Sequence, residues 1–460
     1  MDIKEWLSNR TRGGVHAPHR KNTAQCETVI MPPPERIILA MTQHIGAPCT
    51  PVVKVGDTVE VGQVVADSDK PVSAPIHSGV SGKVVSMTEL LLPGGMKTAA
   101  MVIESDGEQR IHPSVKPPVV ENYDDFIKAV RASGLVGLGG AGFPAHIKLH
   151  PRSLDDIDTV IVNAAECEPY ITSDYRECIE NSWDIISGVQ TVMEFLDTAR
   201  VIIAVERNKP AAIAELSNIA AGVSKSGREV IVKSLPARYP QGAEKVLIKA
   251  CTGRRVPTGK LPSDVGCLVM NVASIAFISR YLKTGMPLVD KRITVDGSAI
   301  ARPKNIRVII GTPIKDVISF CGGTKFKTRK LLMGGPMMGL ALMDDELPIL
   351  KQNNAILAFA EEDVRLTEPS TCIRCGRCVD SCPMNLVPPW IAAAYQNGDA
   401  AAMEKLGVMT CMECGCCSFS CPASRQIVQT MRMAKGEVRK AHTPKTAEKE
   451  PAKEKTAVNK

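Results

Sequence analysis

Two cysteine runs near the end of the chain have the spacing with the most chemical content. Residues 372–383 read Cys-Ile-Arg-Cys-Gly-Arg-Cys-Val-Asp-Ser-Cys-Pro, and residues 411–422 read Cys-Met-Glu-Cys-Gly-Cys-Cys-Ser-Phe-Ser-Cys-Pro. Each is C-x2-C-x2-C-x3-C-P, a spacing in which three close thiolates hold one 4Fe–4S cubane and the fourth reaches across to the other. A short loop must aim three sulfurs at one compact cluster, and Gly376 and Gly415 let the backbone come close enough. The spacing therefore gives one cluster to Cys372, Cys375, Cys378 and Cys421, and the other to Cys411, Cys414, Cys417 and Cys382. Cys416 is left without a ligand role. Structural zinc is usually held by pairs of C-x-x-C, without a third cysteine and a Cys-Pro at fixed offsets. Disulfides would need an oxidising compartment, which nothing else in the chain indicates. The expected chemistry is movement of single electrons.

A glycine-rich stretch, Gly134-Leu-Val-Gly-Leu-Gly-Gly-Ala-Gly-Phe-Pro144, is the second signal. Gly137, Gly139 and Gly142 satisfy G-x-G-x-x-G, but a helical pattern precedes them where a dinucleotide fold has a strand, and Pro144 follows closely. Such a loop can cradle a phosphate or lie flat against a ring, because missing side chains allow close approach. Its bland reading is a flexible hinge. A strand-like run at 159–162 leads into Asn163-Ala-Ala-Glu166-Cys-Glu168-Pro-Tyr170, which puts an amide and two carboxylates where α/β sheets place ligand contacts. The alternative there is a solvated turn. Further on, Arg238-Tyr-Pro-Gln-Gly-Ala-Glu244-Lys245 opens a helix expected over 242–250, whose free N–H groups and Lys245 favour an anion.

The elements that must position these residues fall into blocks. Short β-rich runs at 37–39, 50–55, 59–66, 80–85 and 100–103 are broken by glycines. Residues 122–133 have a helical period with Phe126, Ile127, Ala129 and Val130 on one side. From 159 to 250 strands alternate with helices, which implies a largely parallel sheet. Residues 292–359 return to β, with one helix over 314–320, as a small β-grasp-like module; 340–350 reads as a loop reaching toward the clusters. Residues 390–406 between the cysteine runs read as helix turned at Gly398. After Met433 the chain is Lys, Glu, Ala, Thr and Pro, so a disordered tail is expected over 435–460.

Composition bounds the remaining classes. The chain has 460 residues, enough for several domains, and with aromatics at only 4% its cores must be aliphatic. A net charge of +7 is too mild to argue for nucleic acid. The basic, polar stretch 1–21 has no apolar run and is not a signal peptide, and no stretch approaches the roughly 20 apolar residues of a membrane span. Sixteen cysteines without a secretory signal indicate a reducing cytoplasm; Cys26, Cys49, Cys167, Cys178, Cys251, Cys267 and Cys321 are expected as buried small hydrophobes.

The order and length of these motifs resemble the C subunit of the Rnf electron-transport complex, from Gly13-Gly-Val-His-Ala-Pro18 to about Arg432. The phrases at 55–63 and 74–84 are similar to the barrel-sandwich hybrid of biotinyl and lipoyl carriers, with Lys70 where a carrier lysine sits and Pro71 immediately after it. An ordinary surface lysine is the simpler reading. The middle portion resembles, more distantly, the flavin-bearing NADH-binding subunit of respiratory complex I. That resemblance implies FMN on the glycine-rich loop with NAD(H) stacked over it. Gly137, Gly139 and Gly140 would lie along the flavin, Lys148 near its phosphate or ring edge, and Asn163 and Glu166 facing it. Phe143 would stack on the nucleotide, Glu168 and Glu244 would hold its polar groups, and Gly242 and Asn271 would complete the flavin pocket. The chain departs from the complex I pattern at Leu138 and Ala165.

The architecture so implied is a multidomain α/β protein. It has an N-terminal barrel-sandwich hybrid with a leading arm (1–115), a Rossmann-like FMN/NAD(H) domain (116–288), an SLBB-like β-grasp domain (289–362), an α-helical domain for two 4Fe–4S clusters (363–434) and a tail (435–460). The family resemblance implies a peripheral subunit on the cytoplasmic side of the cell membrane. It would pass electrons between ferredoxin and NAD+ through partner iron–sulfur and membrane subunits that translocate Na+ or H+. Alternatives are a microcompartment cobalamin reductase, a soluble hydrogenase flavin subunit, and a lipoyl-type carrier or adaptor. Residues 13–110 argue against the first.

Overall fold

The computed structural model describes residues 13–223, 228–364 and 367–442. The start of the basic leader and the tail beyond 442 lie outside them. An arm from Gly13 leads into strand β1 (Thr28–Ile30). The first β-rich block then forms β2 (Arg36–Ala40), β3 (Thr50–Pro51), β4 (Thr58–Val59), β5 (Val64–Asp67), β6 (Ile76–His77), β7 (Gly82–Leu92) and β8 (Met96–Ser105). These make a sheet in the order β2-β8-β7-β4 and a smaller one in the order β3-β5-β6. The run expected at 59–66 divides into β4 and β5, because Gly62 at φ +84° turns the chain from one sheet to the other. Ile37, Leu39, Val59, Val65, Ile76, Val84 and Ile103 fill the interior.

Helix α1 (Tyr123–Ala132) begins where expected, with the Asn122 carboxamide accepting from Asp125 N–H at 3.0 Å and Phe126, Ala129 and Val130 buried. A short α2 (Ala145–Lys148) follows the glycine-rich loop. Then come β9 (Thr159–Ala164), α3 (Ser173–Glu180), α4 (Ser182–Phe195), β10 (Arg200–Glu206), α5 (Pro210–Val223), β11 (Glu229–Leu235), α6 (Glu244–Thr252), β12 (Cys267–Asn271) and α7 (Val272–Thr284). The four strands are parallel, in the order β11-β10-β9-β12. Val160, Val162, Val201 and Ile203 pack against α4 and α7, while Ile161, Ile202 and Val269 pack against Leu247 and Ile248 of α6. The sheet is therefore buried on both faces, as a parallel sheet requires. The chain progresses from β9 to β11 in one direction and returns on the other side of β9 as β12, so the strand order reverses between β9 and β12.

The β-grasp-like unit has β13 (Asp290–Asp296), β14 (Lys304–Ile309), α8 (Ile314–Phe320), β15 (Thr328–Met333), β16 (Leu340–Leu342) and β17 (Ala355–Ala360). Its sheet runs β1-β14-β13-β17-β15-β16, so the arm strand is its edge. The stretch expected as a loop from 340 starts instead as β16, because Leu340 and Leu342 pair with Met333 and Leu331. The turn at 334–339 is what reaches the cysteine loops: a Cβ on Gly415 would lie 2.9 Å from Met337 O.

The last block is helical: α9 (Arg377–Asp380), α10 (Pro388–Gln396), α11 (Ala400–Lys405), α12 (Cys416–Phe419) and α13 (Ile427–His442). Gly398 at φ +68° separates α10 from α11. Helix α13 corrects the expected tail, since residues 435–442 are helical and Ile427, Met431, Ala434 and Val438 form one buried stripe. Only the small Ala434 and Val438 carry that stripe past Met433, so composition alone concealed it. Among the described residues no helix is long and apolar enough to cross a membrane.

Candidate functional site

The crevice lies where the strand order reverses. Asn163 and Asn271 are register partners at the carboxyl ends of β9 and β12, the position at which open α/β sheets bind ligands. The Asn271 side chain accepts from Ala273 N–H at 2.9 Å, capping α7, and donates to Asp174 Oδ2 at 2.7 Å. The glycine-rich loop sits directly on it: a Cβ on Gly139 would lie 3.1 Å from Asn271 Nδ2. Gly137 N–H donates to Phe143 O at 2.8 Å and Gly142 N–H to Gly137 O at 3.2 Å, closing the loop on itself. From outside, Ile45 N–H of the barrel-sandwich block donates to Gly142 O at 3.0 Å. Gly140, at φ +109°, is exposed, and a Cβ there would meet nothing within 4 Å. That outer face of the loop is open to a planar or anionic ligand.

The facing wall is the loop before α6. Asn163 Nδ2 donates to Gly242 O at 2.8 Å, and Gly242 N–H donates to Cys167 Sγ at 3.4 Å. Gly242 has no room for a side chain, because a Cβ would lie 2.3 Å from Ala165 O. Lys148 Nζ pairs with Glu244 Oε1 at 2.6 Å across the crevice. The helix starts at Glu244 rather than at Gly242, and Lys245 reaches away to Pro257 O at 3.4 Å. The ammonium at the crevice is thus Lys148, not Lys245.

The two carboxylates of the 163–170 motif are engaged by backbone. Glu166 is buried and accepts from Asp174 N–H at 2.8 Å and Tyr175 N–H at 3.3 Å, capping α3. Burial pushes its carboxyl up, and the nearby Lys21 and Lys209 ammoniums pull it back. Glu168 accepts from Met337 N–H at 3.0 Å and Met338 N–H at 2.8 Å, and burial raises it to about 7. Asp174 is also raised to about 7, by burial and then by Glu166. Lys21 donates to the carbonyls of Glu166 and Glu168, both at 2.8 Å, and to that of Ile171. The structure thus pairs Gly137 with the Phe143 carbonyl, Gly139 with Asn271, Asn163 with Gly242 and Lys148 with Glu244, leaves Gly140 exposed, and bonds Glu166 and Glu168 to backbone N–H groups. Sequence reasoning missed Lys21, Asp174, Met337 and Met338. Asp174, near the start of a helix beside an acidic motif, had a local signal; the others are distant in sequence from everything they touch.

The cysteine runs line two cavities. One, of about 640 Å³, is lined by Cys372, Cys375, Cys378 and Cys421, together with Ile373 and Trp390. The other is lined by Cys382, Cys411, Cys414 and Cys417, with Cys416 beside them. Gly376 at φ +77° and Gly415 at φ +79° start α9 and α12, turning each loop toward its cavity. Among the described residues no three Cys, His, Asp or Glu side chains converge on a single ion. Four thiols around each cavity are the donor set a 4Fe–4S cluster requires, so the residues fit that group, and the first cavity also has the room for one. Burial pushes Cys411 to about 11 and Cys417 to about 12 in the free thiols. The interaction between the adjacent thiols lowers Cys414 and raises Cys416, and Cys416 is fully buried beside the ligand cysteines.

The second cavity abuts the crevice. Tyr239, on the loop before α6, donates its hydroxyl to Cys414 O at 2.7 Å. Val15 bridges to Tyr239, and Gly14 N–H donates to Ser381 O at 2.8 Å, so the arm straps the two blocks together. Cys167, Met337 and Met412 pack against Tyr239, Cys414 and Cys416. Cys167 is thereby an interface residue, rather than the isolated core thiol expected. The first cavity faces outward, with Ile373 67% and Trp390 64% exposed.

Family models match the chain in four segments: the RnfC barrel sandwich hybrid domain over residues 9–108, the Nuo51 FMN-binding domain over 130–280, the SLBB domain over 292–341 and the 4Fe-4S dicluster domain over 366–422. The fold is accordingly a barrel-sandwich hybrid, an FMN-binding-type α/β domain, an SLBB module and a two-cluster domain in series. The C subunit of the proton-translocating ferredoxin:NAD(+) oxidoreductase complex of Clostridium ljungdahlii is 44% identical over 94% of this chain and 94% of its own. The C subunit of the Na(+)-translocating ferredoxin:NAD(+) oxidoreductase complex of Acetobacterium woodii is 43% identical over 93% of this chain and 96% of its own. The C subunit of the ion-translocating oxidoreductase complex of Rhodobacter capsulatus is 39% identical over 93% of this chain and 83% of its own.

Proposed function

The chain belongs to the family of C subunits of ion-translocating ferredoxin:NAD+ oxidoreductase (Rnf) complexes, and on that premise we propose that it is the subunit at which electrons are exchanged with NAD(H). The observation that carries this reading is the Tyr239 hydroxyl on the Cys414 carbonyl, which joins the crevice to one cysteine cavity. In this reading Gly137, Gly139, Gly140, Lys148, Asn163, Glu166, Gly242 and Asn271 hold or brace FMN, and Phe143, Glu168 and Glu244 hold the nucleotide. Cys372, Cys375, Cys378 and Cys421 hold one 4Fe–4S cluster, and Cys382, Cys411, Cys414 and Cys417 the other.

When bound, FMN exchanges a hydride on one side for single electrons on the other, which the clusters carry. The chain's own groups do the rest. The glycine loop admits a ring against backbone. Lys148 offers a cation to an anionic or carbonyl oxygen, and the Asn163 carboxamide holds the Gly242 loop in place. The Gly242–Tyr239 segment fixes the crevice against the cluster of Cys411, Cys414, Cys417 and Cys382. The cluster of Cys372, Cys375, Cys378 and Cys421 then lies on the partner side.

The protein works in a complex with integral membrane subunits and an iron–sulfur subunit that accepts electrons from ferredoxin, and the other subunits move Na+ or H+. We place it as a peripheral subunit on the cytoplasmic side of the cell membrane. The domain limits of this reading are 1–115, 116–288, 289–362 and 363–442, the last moved from 434 because α13 packs on the two-cluster block. The match of residues 9–108 to the RnfC hybrid domain favours this reading over a cobalamin reductase. The test is an anaerobic titration of the purified chain with NADH, followed by flavin absorbance and electron paramagnetic resonance. Bleaching of bound flavin followed by reduced-cluster signals supports the path. A chain that binds no flavin and whose clusters stay oxidised under NADH would sink it.

A further inference from the structure

The Glu168 carboxylate is the point at which the crevice, the SLBB-like module and one cluster loop meet. Both of its oxygens are taken by adjacent backbone N–H groups of one turn, Met337 at 3.0 Å and Met338 at 2.8 Å. The turn is closed by Gly339 N–H on Gly335 O, at 2.8 Å, and Gly335 lies so close beneath the carboxylate that a Cβ there would be 2.2 Å from Glu168 Oε2. On its other side the turn meets the cluster loop: Met337 O stands 2.9 Å from the Cβ position of Gly415, the residue next to Cys414. The backbone on the crevice side cannot yield, because Lys21 holds the carbonyls of Glu166, Glu168 and Ile171 together. With that backbone held, the Glu168 side chain is the piece whose departure would free the turn.

We propose that Glu168 is a positioning residue that couples nucleotide occupancy to the cluster of Cys382, Cys411, Cys414 and Cys417 through the 334–339 turn. This rests on the reading of the crevice as the nucleotide site. A dinucleotide brings hydroxyl and carboxamide donors, which compete for the carboxylate with the Met337 and Met338 N–H groups. As the carboxylate swings to the nucleotide, the two amides lose their acceptor and the turn relaxes against Gly415. Backbone around cluster sulfurs tunes the potential of the cluster, so the cluster reports whether an electron acceptor or donor is docked. Electrons are then passed inward when a nucleotide is present to exchange them.

The test uses the full chain loaded with FMN and clusters, and 1,4,5,6-tetrahydro-NAD, which carries the whole nucleotide but no transferable hydride. Its dissociation constant is measured together with hydrogen exchange at the Met337 and Met338 amides and the resonance spectrum of the dithionite-reduced clusters. The expected result is binding accompanied by faster exchange at both amides and a shift in one of the two cluster signals. In Glu168→Ala both amides exchange fast from the start, and the analogue shifts nothing. Gly335→Ala keeps the carboxylate but dislodges it sterically, so its cluster signal without analogue matches that of the occupied parent protein. Binding with unchanged exchange and unchanged cluster signals overturns the coupling and leaves the nucleotide site standing. A Gly335→Ala spectrum equal to that of the free parent overturns it too. Absence of binding removes the nucleotide reading and the coupling with it.

Discussion

Asn163 and Asn271 stand opposite each other at the carboxyl ends of adjacent parallel strands, and each uses its carboxamide to fix a different wall of the crevice. Asn271 caps α7 and holds Asp174; Asn163 holds the Gly242 carbonyl. Replacing Asn271 by alanine removes the cap at a cost of about 1 kcal/mol and takes the neutral donor away from Asp174. The expected outcome is a folded protein whose unfolding midpoint drops by a few degrees and which purifies without flavin. Absorbance at the flavin bands against protein content measures this; full flavin content in Asn271→Ala would remove the residue from the site.

Lys148 and Glu244 face each other at 2.6 Å with about a third of each side chain exposed. A partly exposed pair contributes at most about 1 kcal/mol to folding, so Lys148→Met should leave the melting temperature nearly unchanged. Its role toward a bound anion is another matter: a charge-assisted hydrogen bond lost at a site costs about 1.5–3 kcal/mol, roughly 10- to 100-fold in affinity. FMN rebinding to the stripped protein, measured by quenching of flavin fluorescence, should weaken by that factor. An unchanged flavin affinity would reassign Lys148 to stability alone.

The two cavities mix the cysteine runs, with Cys382 beside Cys411, Cys414 and Cys417, and Cys421 beside Cys372, Cys375 and Cys378. Cys382→Ala should therefore disturb the cluster of the later run and spare that of its own. Combining Cys382→Ala with Cys411→Ala should lose no more than one cluster, about four irons, whereas Cys382→Ala with Cys372→Ala should lose both. Iron analysis with the resonance spectrum of the reduced protein separates the outcomes. Loss of two clusters in the first double variant would mean that each run holds its own.

Much of this was legible because cluster loops and glycine loops are local. The spacing of ligands within about ten residues constrains geometry before any tertiary structure is known, and the apolar run at 159–162 marked the strand whose end carries Asn163. The contacts that assemble the site are of another kind. Lys21 to Glu166, Glu168 to Met337 and Tyr239 to Cys414 join residues more than 140 positions apart, through backbone atoms that have no sequence signature. A carboxylate next to an apolar strand looks the same in sequence whether it faces a ligand or a turn from another module. Strand β16 was missed for a related reason: three residues acquire strand pairing only because β15 lies alongside.

Lys351 ties the barrel-sandwich block to the base of the glycine loop by donating to Pro75 O at 2.6 Å and Gly134 O at 2.8 Å. Burial lowers it to about 7 from 10.5. The folded-state value lies below the unfolded one, so between about 7 and 10.5 the unfolded chain binds more protons than the native protein, and stability rises with pH across that window. The rise from one such group is at most about 1.4 kcal/mol per pH unit. Lys291, also lowered to about 7 by burial, adds a limb of the same sign. In urea titrations at pH 7 and pH 9 the midpoint should increase with pH, and Lys351→Met should show a smaller increase. A midpoint that falls over this range in both proteins would show that the buried ammonium keeps its proton.

Helix α13 supplies the sharpest contrast between composition and packing. Past Met433 the sequence is charged, yet Ala434 is 0% and Val438 2% exposed, both on the stripe that continues from Ile427 and Met431 against the cluster helices. Lys435 adds a bond to Cys411 O at 3.0 Å and an ion pair with Glu413 at 2.6 Å, so this last segment holds the loop that bears two ligands, Cys411 and Cys414. A chain ending after His442 should retain both clusters and the parent unfolding midpoint. A chain ending after Met433 loses the Ala434 and Val438 packing and the Lys435 bonds, on the order of 2–4 kcal/mol. It should shed the cluster of Cys411, Cys414, Cys417 and Cys382 first on exposure to chelator. Val438→Asp in the full-length chain should reproduce that loss, because it buries a charge on the stripe without shortening the helix. Equal chelator resistance in the two truncations would show that the segment after Met433 is dispensable to the cluster loop.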